Sequence, residues 1–242
     1  MTYEEIIKKI KARGYWEVRL TPMRFNPTLI DERKKLIELI EKAHVRLRGW
    51  YYPHISHWSS PTTRKPIVGS NYIEGGVEWD IFIEFWRFYQ SGQFVHIFNM
   101  HEDYMEGSGL FRGRTDLKEF KPGEVLNTGS VIFEISEILA FVEGLVRQGV
   151  YDDGVKIEIS LKGTKDRVLK VFDWNKVPLF MDYKSITPSV DWKGEYGKED
   201  VLVNYKKIAI DAISWIFDSF NWINNPRNVF EEDQARLFER RL

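Results

Sequence analysis

The densest run of aromatic and β-branched residues in the chain is EWDIFIEFWRFYQSGQFVHIFNMH, residues 78–101. Such residues favour β-strands, and the Ser91-Gly92 pair that interrupts the run is a turn signal. The stretch therefore predicts a β-hairpin in which residues 80–90 pair with residues 93–101.

A two-residue loop at Ser91-Gly92 determines which residues of the two predicted strands face each other. The predicted cross-strand pairs are Gln90 with Gln93, Tyr89 with Phe94, Arg87 with His96, Trp86 with Ile97, and Glu84 with Asn99. One face then carries Glu84, Trp86, Phe88, Val95 and Ile97, and the other carries Ile83, Phe85, Arg87, Tyr89, Phe94, His96 and Phe98. Neither face is polar, so we expect both to be covered, or one of them to be covered by another molecule.

Composition places the chain among globular proteins. Its 242 residues are 43% hydrophobic and 29% charged, which is enough for a sizeable core. The formal net charge of −1 argues against a surface devoted wholly to a phosphate backbone. The absence of cysteine excludes disulfides and thiolate chemistry. No signal peptide or membrane-spanning run is visible, so we expect a soluble, cytoplasmic protein with no membrane partner.

Helical and strand periodicities predict the elements around the hairpin. A capping box of Thr2 and Glu5 begins a helix that ends at Gly14. Further helices are predicted over residues 28–44, 127–148 and 199–220, and from residue 229 to the end. Strands are predicted over residues 15–20 and 46–55, over 70–74 and 77–80 around a Gly75-Gly76 turn, and over 155–161 paired with 167–172. Residues 59–69, 102–123 and 173–198 are predicted to be irregular.

These elements predict one α+β domain over residues 1–242. Its antiparallel-rich β-sheet, built from meanders and hairpins, is covered by helices that lie mainly on one side. The weakest internal boundary falls near residues 107–123, where periodicity is lost.

Two phrases carry a resemblance to a known family. They are RGWxxPH at residues 48–54 and WRFYQSGQF at residues 86–94. With a weaker likeness over most of the chain, they make it similar to a prokaryotic protein family without an established activity that is associated with AlbA-like DNA-binding domains. The resemblance implies a role near nucleic acid or in genome defence, and it brings no catalytic residues with it.

A group of histidines and carboxylates raises the question of metal chemistry. Imidazoles and carboxylates at one end of a sheet could ligate a divalent metal that activates water. His96 and His101, however, have opposite parity along a strand and are predicted to point to opposite faces. We therefore expect no bound metal and no cofactor. The alternative, a metal-dependent hydrolase or nuclease, would use His54, His57, His96, His101, Glu102 and Asp103.

Arg87 is the main candidate for a binding residue. A guanidinium among aromatic side chains needs an anionic partner, because an unpaired buried charge is costly. That partner is either a carboxylate of this chain, the more common case, or the phosphate or other anion of a ligand. Arg46, Arg48, Trp50 and Tyr52 repeat this chemistry on the neighbouring predicted strand. The candidate binding residues are Arg48, Trp50, His54, Arg87, Tyr89, Gln90, Gln93 and His96.

Three functional hypotheses follow. The chain is a non-enzymatic binding or adaptor protein that offers an aromatic, arginine-bearing sheet face to a protein or nucleic acid. Alternatively, it is the metal-dependent enzyme above, or a homo-oligomer that uses the sheet face as its self-interface. Phosphate-loop and dinucleotide-binding motifs are absent, and Glu134 and Glu137 on one helix face are predicted to be solvated. No catalytic set is complete, so binding is favoured and catalysis stays open.

Overall fold

The computed structural model describes residues 2–56, 63–105, 120–173 and 175–240. The helices are α1 (Tyr3–Lys11), α2 (Arg33–Ala43), α3 (Thr128–Arg147), α4 (Lys198–Asp218) and α5 (Arg227–Phe238). The strands are β1 (Tyr15–Pro22), β2 (Thr63–Val68), β3 (Tyr72–Trp79), β4 (Phe82–Tyr89), β5 (Phe94–Asn99), β6 (Val125–Asn127), β7 (Val155–Lys162), β8 (Val168–Lys170) and β9 (Ser189–Tyr196). A 3-10 turn, His101–Tyr104, follows β5.

Seven strands form one sheet in the order β2-β3-β4-β5-β1-β7-β9, with neighbours antiparallel. Strands β6 and β8 form a separate parallel pair. Helix α1 packs on one face of the sheet, and α2 to α5 contribute to the larger core on the other face. The predicted α+β fold, with an antiparallel-rich sheet and helices mainly on one side, is confirmed. None of the helices in the described residues has the length and apolar character needed to cross a bilayer.

The helix starts follow local signals in the sequence. The Thr2 side chain accepts a hydrogen bond from the Glu5 N–H at 3.2 Å, and the Glu5 carboxylate accepts one from the Thr2 N–H at 2.6 Å, so the predicted capping box is confirmed. Asn127 begins α3 by accepting from the Gly129 N–H at 3.2 Å. These bonds satisfy N–H groups that have no partner inside the helix.

The β4–β5 hairpin is confirmed, but its predicted register is wrong by one residue. Phe88 lies opposite Phe94, and Trp86 lies opposite His96. Because side chains alternate between the faces of a strand, the shift moves every side chain of β5 to the other face relative to β4. His96 therefore shares a face with Glu84, and the predicted pairing of Arg87 with His96 is wrong.

The register differs because the hairpin loop has three residues rather than two. The Tyr89 N–H donates to the Gln93 carbonyl at 2.9 Å, and the Gly92 N–H donates to the Tyr89 carbonyl at 2.9 Å. Gly92 has a φ of +77°, in the left-handed region that glycine adopts without strain. This geometry is typical of a three-residue hairpin that ends in a left-handed glycine.

The Gly75-Gly76 pair does not form the predicted turn, and β3 runs straight through it. A Cβ on Gly75 would lie 2.4 Å from Cζ2 of Trp86, and one on Gly76 would lie 2.7 Å from the Glu84 carbonyl oxygen. The two glycines therefore let β3 approach β4 closely. In sequence, a glycine pair with this role looks the same as a glycine pair in a turn.

Four other predicted segments differ from the structure. Residues 173–198, predicted to be irregular, contain the edge strand β9, Ser189–Tyr196. Residues 46–55 form no strand, and only a single bridge joins Val45 to Tyr52. The predicted loop at 59–69 contains the edge strand β2, where Pro66 is tolerated because one side of an edge strand needs no donor. Strand β7 pairs with β1 and with β9, not with the residues of β8, which pair with β6 instead. Most of the predicted boundary at 107–123 lies outside the described residues.

Replacing Gly75 by Ala is expected to lower the free energy of unfolding by about 1–3 kcal/mol, the usual cost of an added carbon in a filled core. Trp86 cannot move aside easily, because it is fully buried and its Nε1 donates to the His54 carbonyl at 2.8 Å. Urea unfolding measures the loss. Gly129→Ala is the matched control, since the nearest atoms to its Cβ would lie 3.6 Å away. Equal stability of Gly75→Ala and wild type would contradict the close approach of β3 to β4.

Candidate functional site

A cavity of about 270 Å³ lies between the sheet, the loop that contains residues 48–52, and helix α3. Its charged and titratable lining consists of Arg48, Glu84, His96, His101, Glu134 and Glu137. Aromatic side chains, among them Trp50, Tyr52, Phe82 and Phe98, form much of the rest. Apolar walls with a few converging polar groups are typical of small-molecule sites.

Glu84 and His96 form a hydrogen-bonded pair on the cavity wall. They are diagonal neighbours on β4 and β5, and the observed register places them on the same face. Glu84 Oε2 lies 2.7 Å from His96 Nε2, and Glu84 Oε1 accepts from the His54 N–H at 3.1 Å. An ionised carboxylate only accepts hydrogen bonds, so this contact places a hydrogen on Nε2, and in the neutral imidazole Nδ1 is then an acceptor.

Arg48 holds two carboxylates of α3. Its Nη2 donates to Glu134 Oε1 at 2.7 Å and also to Glu137 Oε2, and its Nε donates to Glu137 Oε1 at 3.2 Å. Glu134 and Glu137 are three residues apart and therefore share a helix face. Both are buried, so the prediction that they are solvated is wrong.

The pKa values of these groups reflect burial and pairing together. Burial alone would lower the pKa of Arg48 and raise that of Glu134, but their attraction outweighs it, so the pKa of Arg48 is raised and that of Glu134 is lowered. Burial dominates at Glu137, whose pKa is raised. The Arg48 side chain is 26% exposed, which places it on the outer side of the cavity.

Two buried polar atoms on residues of the lining have no hydrogen-bond partner within the described residues. They are Nδ1 of His96, which is 1% exposed, and the hydroxyl of Tyr52, which is 5% exposed. The two rings meet edge to face with centroids 4.9 Å apart. Burial raises the pKa of Tyr52 well above its usual range, so its hydroxyl keeps its proton. Buried polar groups are nearly always hydrogen-bonded, so we expect these two atoms to meet water or a ligand.

An aromatic stack forms the outer edge of the site. The Trp50 ring lies parallel to His54, Phe82 and Trp79 at centroid distances of 4.2, 5.1 and 5.4 Å. Trp50 is half-buried and lines the cavity beside Phe82. These rings form one aromatic stack beside the cavity.

His101 lies in the 3-10 turn beyond β5. The alternation of side chains along a strand, which predicted that His96 and His101 point to opposite faces, therefore does not apply to it. Both histidines line the same cavity. Burial lowers the pKa of His101, and the side chain packs edge-on against Phe82 at 4.8 Å. In the part of the chain that the structure describes, no group of three or more His, Asp or Glu side chains is arranged to hold a metal ion.

Glu102 and Asp103 do not line the cavity. Their carboxylates instead accept hydrogen bonds from backbone N–H groups. Glu102 accepts from the Asn127 N–H at 3.0 Å. Asp103 is paired with the buried Arg167 and accepts from the N–H groups of Gly14 and Gly123, both at 2.8 Å. His57 lies outside the described residues. The described residues therefore do not bring the six side chains of the hydrolase hypothesis into one site.

Arg87 lies on the opposite face of the sheet from His96, and its anionic partner belongs to the chain. Its Nε donates to Glu74 Oε2 at 2.8 Å, and its guanidinium lies 4.3 Å from the centre of the Tyr72 ring. The Tyr89 hydroxyl also contacts Arg87, Gln90 donates to the Ile30 carbonyl, and Gln93 accepts from Ser91. Of the predicted binding residues, the cavity brings together Arg48, Trp50 and His96, with His54 stacked beside them.

Sequence reasoning assigned no binding role to Glu84, Glu134 and Glu137. Glu134 and Glu137 carry a usable signal, since both interrupt a helix whose neighbouring positions are almost all apolar. Isolated acids within an apolar helix require buried partners. Glu84 gives no such signal, because its role depends on the register of the hairpin.

No protein-family model, curated protein or solved structure matches the chain. The resemblance to a family associated with AlbA-like domains, and the role near nucleic acid that it implies, stay predictions.

Replacing Tyr52 by Phe is expected to leave the stability of the free protein unchanged or slightly higher, because the hydroxyl that is removed bonds to none of the described residues. Tyr151→Phe is the matched control: the buried Tyr151 hydroxyl donates to the Gly92 carbonyl at 2.9 Å, and its loss should cost about 1 kcal/mol. Denaturant unfolding of both variants measures the difference. A loss at Tyr52 as large as that at Tyr151 would show that the Tyr52 hydroxyl is already satisfied.

Proposed function

We propose that the protein binds a small molecule in the cavity between β4, β5 and α3. The observation that carries this proposal is a pair of buried polar atoms, His96 Nδ1 and the Tyr52 hydroxyl, that have no hydrogen-bond partner in the described part of the chain. Leaving a buried polar group unsatisfied costs about 1–3 kcal/mol. A ligand that supplies hydrogen bonds to both atoms removes that cost when it binds.

The size of the cavity limits the ligand. Its volume of about 270 Å³ lies just below the lower end of the range for drug-sized ligands. A ligand of one or two small rings therefore fits the site.

The position of the lining residues indicates how the ligand is held. Arg48 and Trp50 are partly exposed and mark the outer side, whereas His96 and Phe98 are buried at the inner end. The ligand enters past Arg48 and Trp50 and presents a polar edge to His96 and Tyr52. His54 supports the Trp50 ring from behind through their stacked contact.

This proposal keeps the binding hypothesis and changes its surface. Helix α1 covers Ile83, Phe85 and Ile97 on one face of the hairpin, and the core that includes α3 covers the other face. The proposed ligand therefore meets a cavity rather than an open sheet face. The homo-oligomer hypothesis stays a prediction. A protein or nucleic-acid partner elsewhere on the molecule stays a prediction.

One observation favours proton-transfer catalysis as a second candidate function. A carboxylate that orients an imidazole, with the other ring nitrogen lacking a partner among the described residues, is the arrangement of a general base. In such a reaction His96 Nδ1 would accept a proton from the bound molecule while Glu84 stabilises the imidazolium.

Binding is tested by ligand-observed NMR with a set of one- and two-ring compounds that includes cations, neutral molecules and anions. We expect some of them to bind wild type and to bind Trp50→Ala at least tenfold more weakly, a loss of about 1.4 kcal/mol. Trp215→Ala is the matched control, because Trp215 is an exposed tryptophan of α4 away from the cavity. Failure of the whole set to bind wild type, or equal binding to Trp50→Ala, would overturn the proposal.

A further inference from the structure

Carboxyl groups outnumber guanidinium groups in the described lining of the cavity. Glu84, Glu134 and Glu137 are buried carboxyl groups, and Arg48 is the guanidinium of the described lining. His96 is hydrogen-bonded to Glu84, and burial lowers the pKa of His101, which disfavours a charge there. Buried carboxyl groups in excess of their partners are relieved either by protonation or by a bound cation.

Hydrogen-bond acceptors are prominent in the described lining of the cavity. With the imidazole neutral, the contact with Glu84 leaves Nδ1 of His96 as an acceptor, and an ionised carboxylate has no hydrogen to donate. The Nε and Nη2 donors of Arg48 are already directed at Glu134 and Glu137. The Tyr52 hydroxyl can both accept and donate. A ligand that bonds to these acceptors must itself carry hydrogen-bond donors.

The aromatic walls favour the same kind of ligand. The electron-rich faces of Trp, Tyr and Phe rings attract cations, and this attraction strengthens where water is excluded. Trp50 and Phe82 stack with centroids 5.1 Å apart at the outer edge, and Tyr52 and Phe98 lie further in. A planar group can pack against these rings while its edge reaches the buried acceptors.

We infer that the ligand is a planar organic cation with N–H donors, of the amidinium, guanidinium or amino-substituted heterocycle class. The inference rests on the proposed function, because it names the chemical class that the same cavity takes. An anionic ligand would compete with Glu134 and Glu137 for Arg48 and would face buried carboxyl groups. A neutral ring would satisfy the stacking surface but would leave the excess charge in place.

Three probes of nearly equal size and shape test the effect of ligand charge: benzamidinium, benzamide and benzoate. Isothermal titration of purified wild-type protein at neutral pH is expected to show benzamidinium binding at least tenfold more tightly than benzamide, with no measurable binding of benzoate. Each probe presents the same ring to Trp50, so the difference reports the charge and the N–H donors alone.

Two variants locate the cation. Glu84→Gln and Glu137→Gln each remove one charge while keeping the shape, and each is expected to reduce the preference for benzamidinium over benzamide by roughly tenfold. Two variants are used so that one remains if the other fails to fold, as judged by circular dichroism. Glu143→Gln is the control, since Glu143 lies on the same helix, pairs with Arg147 and does not line the cavity.

The possible results separate the two proposals. Benzamide or benzoate binding as tightly as benzamidinium, or an unchanged preference in both Gln variants, would overturn the assignment of a cation and leave the binding cavity intact. Binding of other ring compounds but of none of the three probes would do the same. Failure of every compound to bind would overturn the binding proposal itself.

Discussion

The register between β4 and β5 is the constraint on which the site depends. The three-residue loop at 90–92 sets Phe88 opposite Phe94, and this places Glu84 and His96 on the face that looks toward α3. A shift by one residue would move His96 to the face of α1 and leave Glu84 buried without an imidazole. The left-handed glycine at position 92 is therefore as important to the cavity as any residue that lines it.

The opposite wall of the cavity depends on charge pairing across long sequence separations. Burying Glu134 and Glu137 on α3 is costly unless a cation compensates them. Arg48, 86 and 89 residues earlier in the chain, supplies that cation from a loop that has no regular structure of its own. The loop is held by the Val45–Tyr52 bridge and by its contacts with the sheet, including the Trp50 stack. The loop thus contributes Arg48, the helix Glu134 and Glu137, and the sheet Glu84 and His96.

Elements that depend on local signals could be predicted from the sequence, whereas the site could not. The capping box at Thr2 and the apolar stripe of α3 act within a few residues, so their patterns are visible directly. The phrase QSGQ is compatible with a two- or a three-residue loop, and that single residue decides which side chains meet. Gly75 has the sequence pattern of a turn, but its role is to make room for the Trp86 side chain. That role is visible only when the neighbouring strand is known. Partners such as Arg48 and Glu134 are visible only after folding.

The most direct test of this account is ¹⁵N NMR of the His96 ring, assigned by comparing labelled wild type with His96→Gln. The account predicts the tautomer in which Nε2 carries the hydrogen that is donated to Glu84, with an Nδ1 resonance that shifts when a ligand enters the cavity. A hydrogen on Nδ1 in place of Nε2, or an Nδ1 resonance that does not respond to a ligand known to bind, would contradict it.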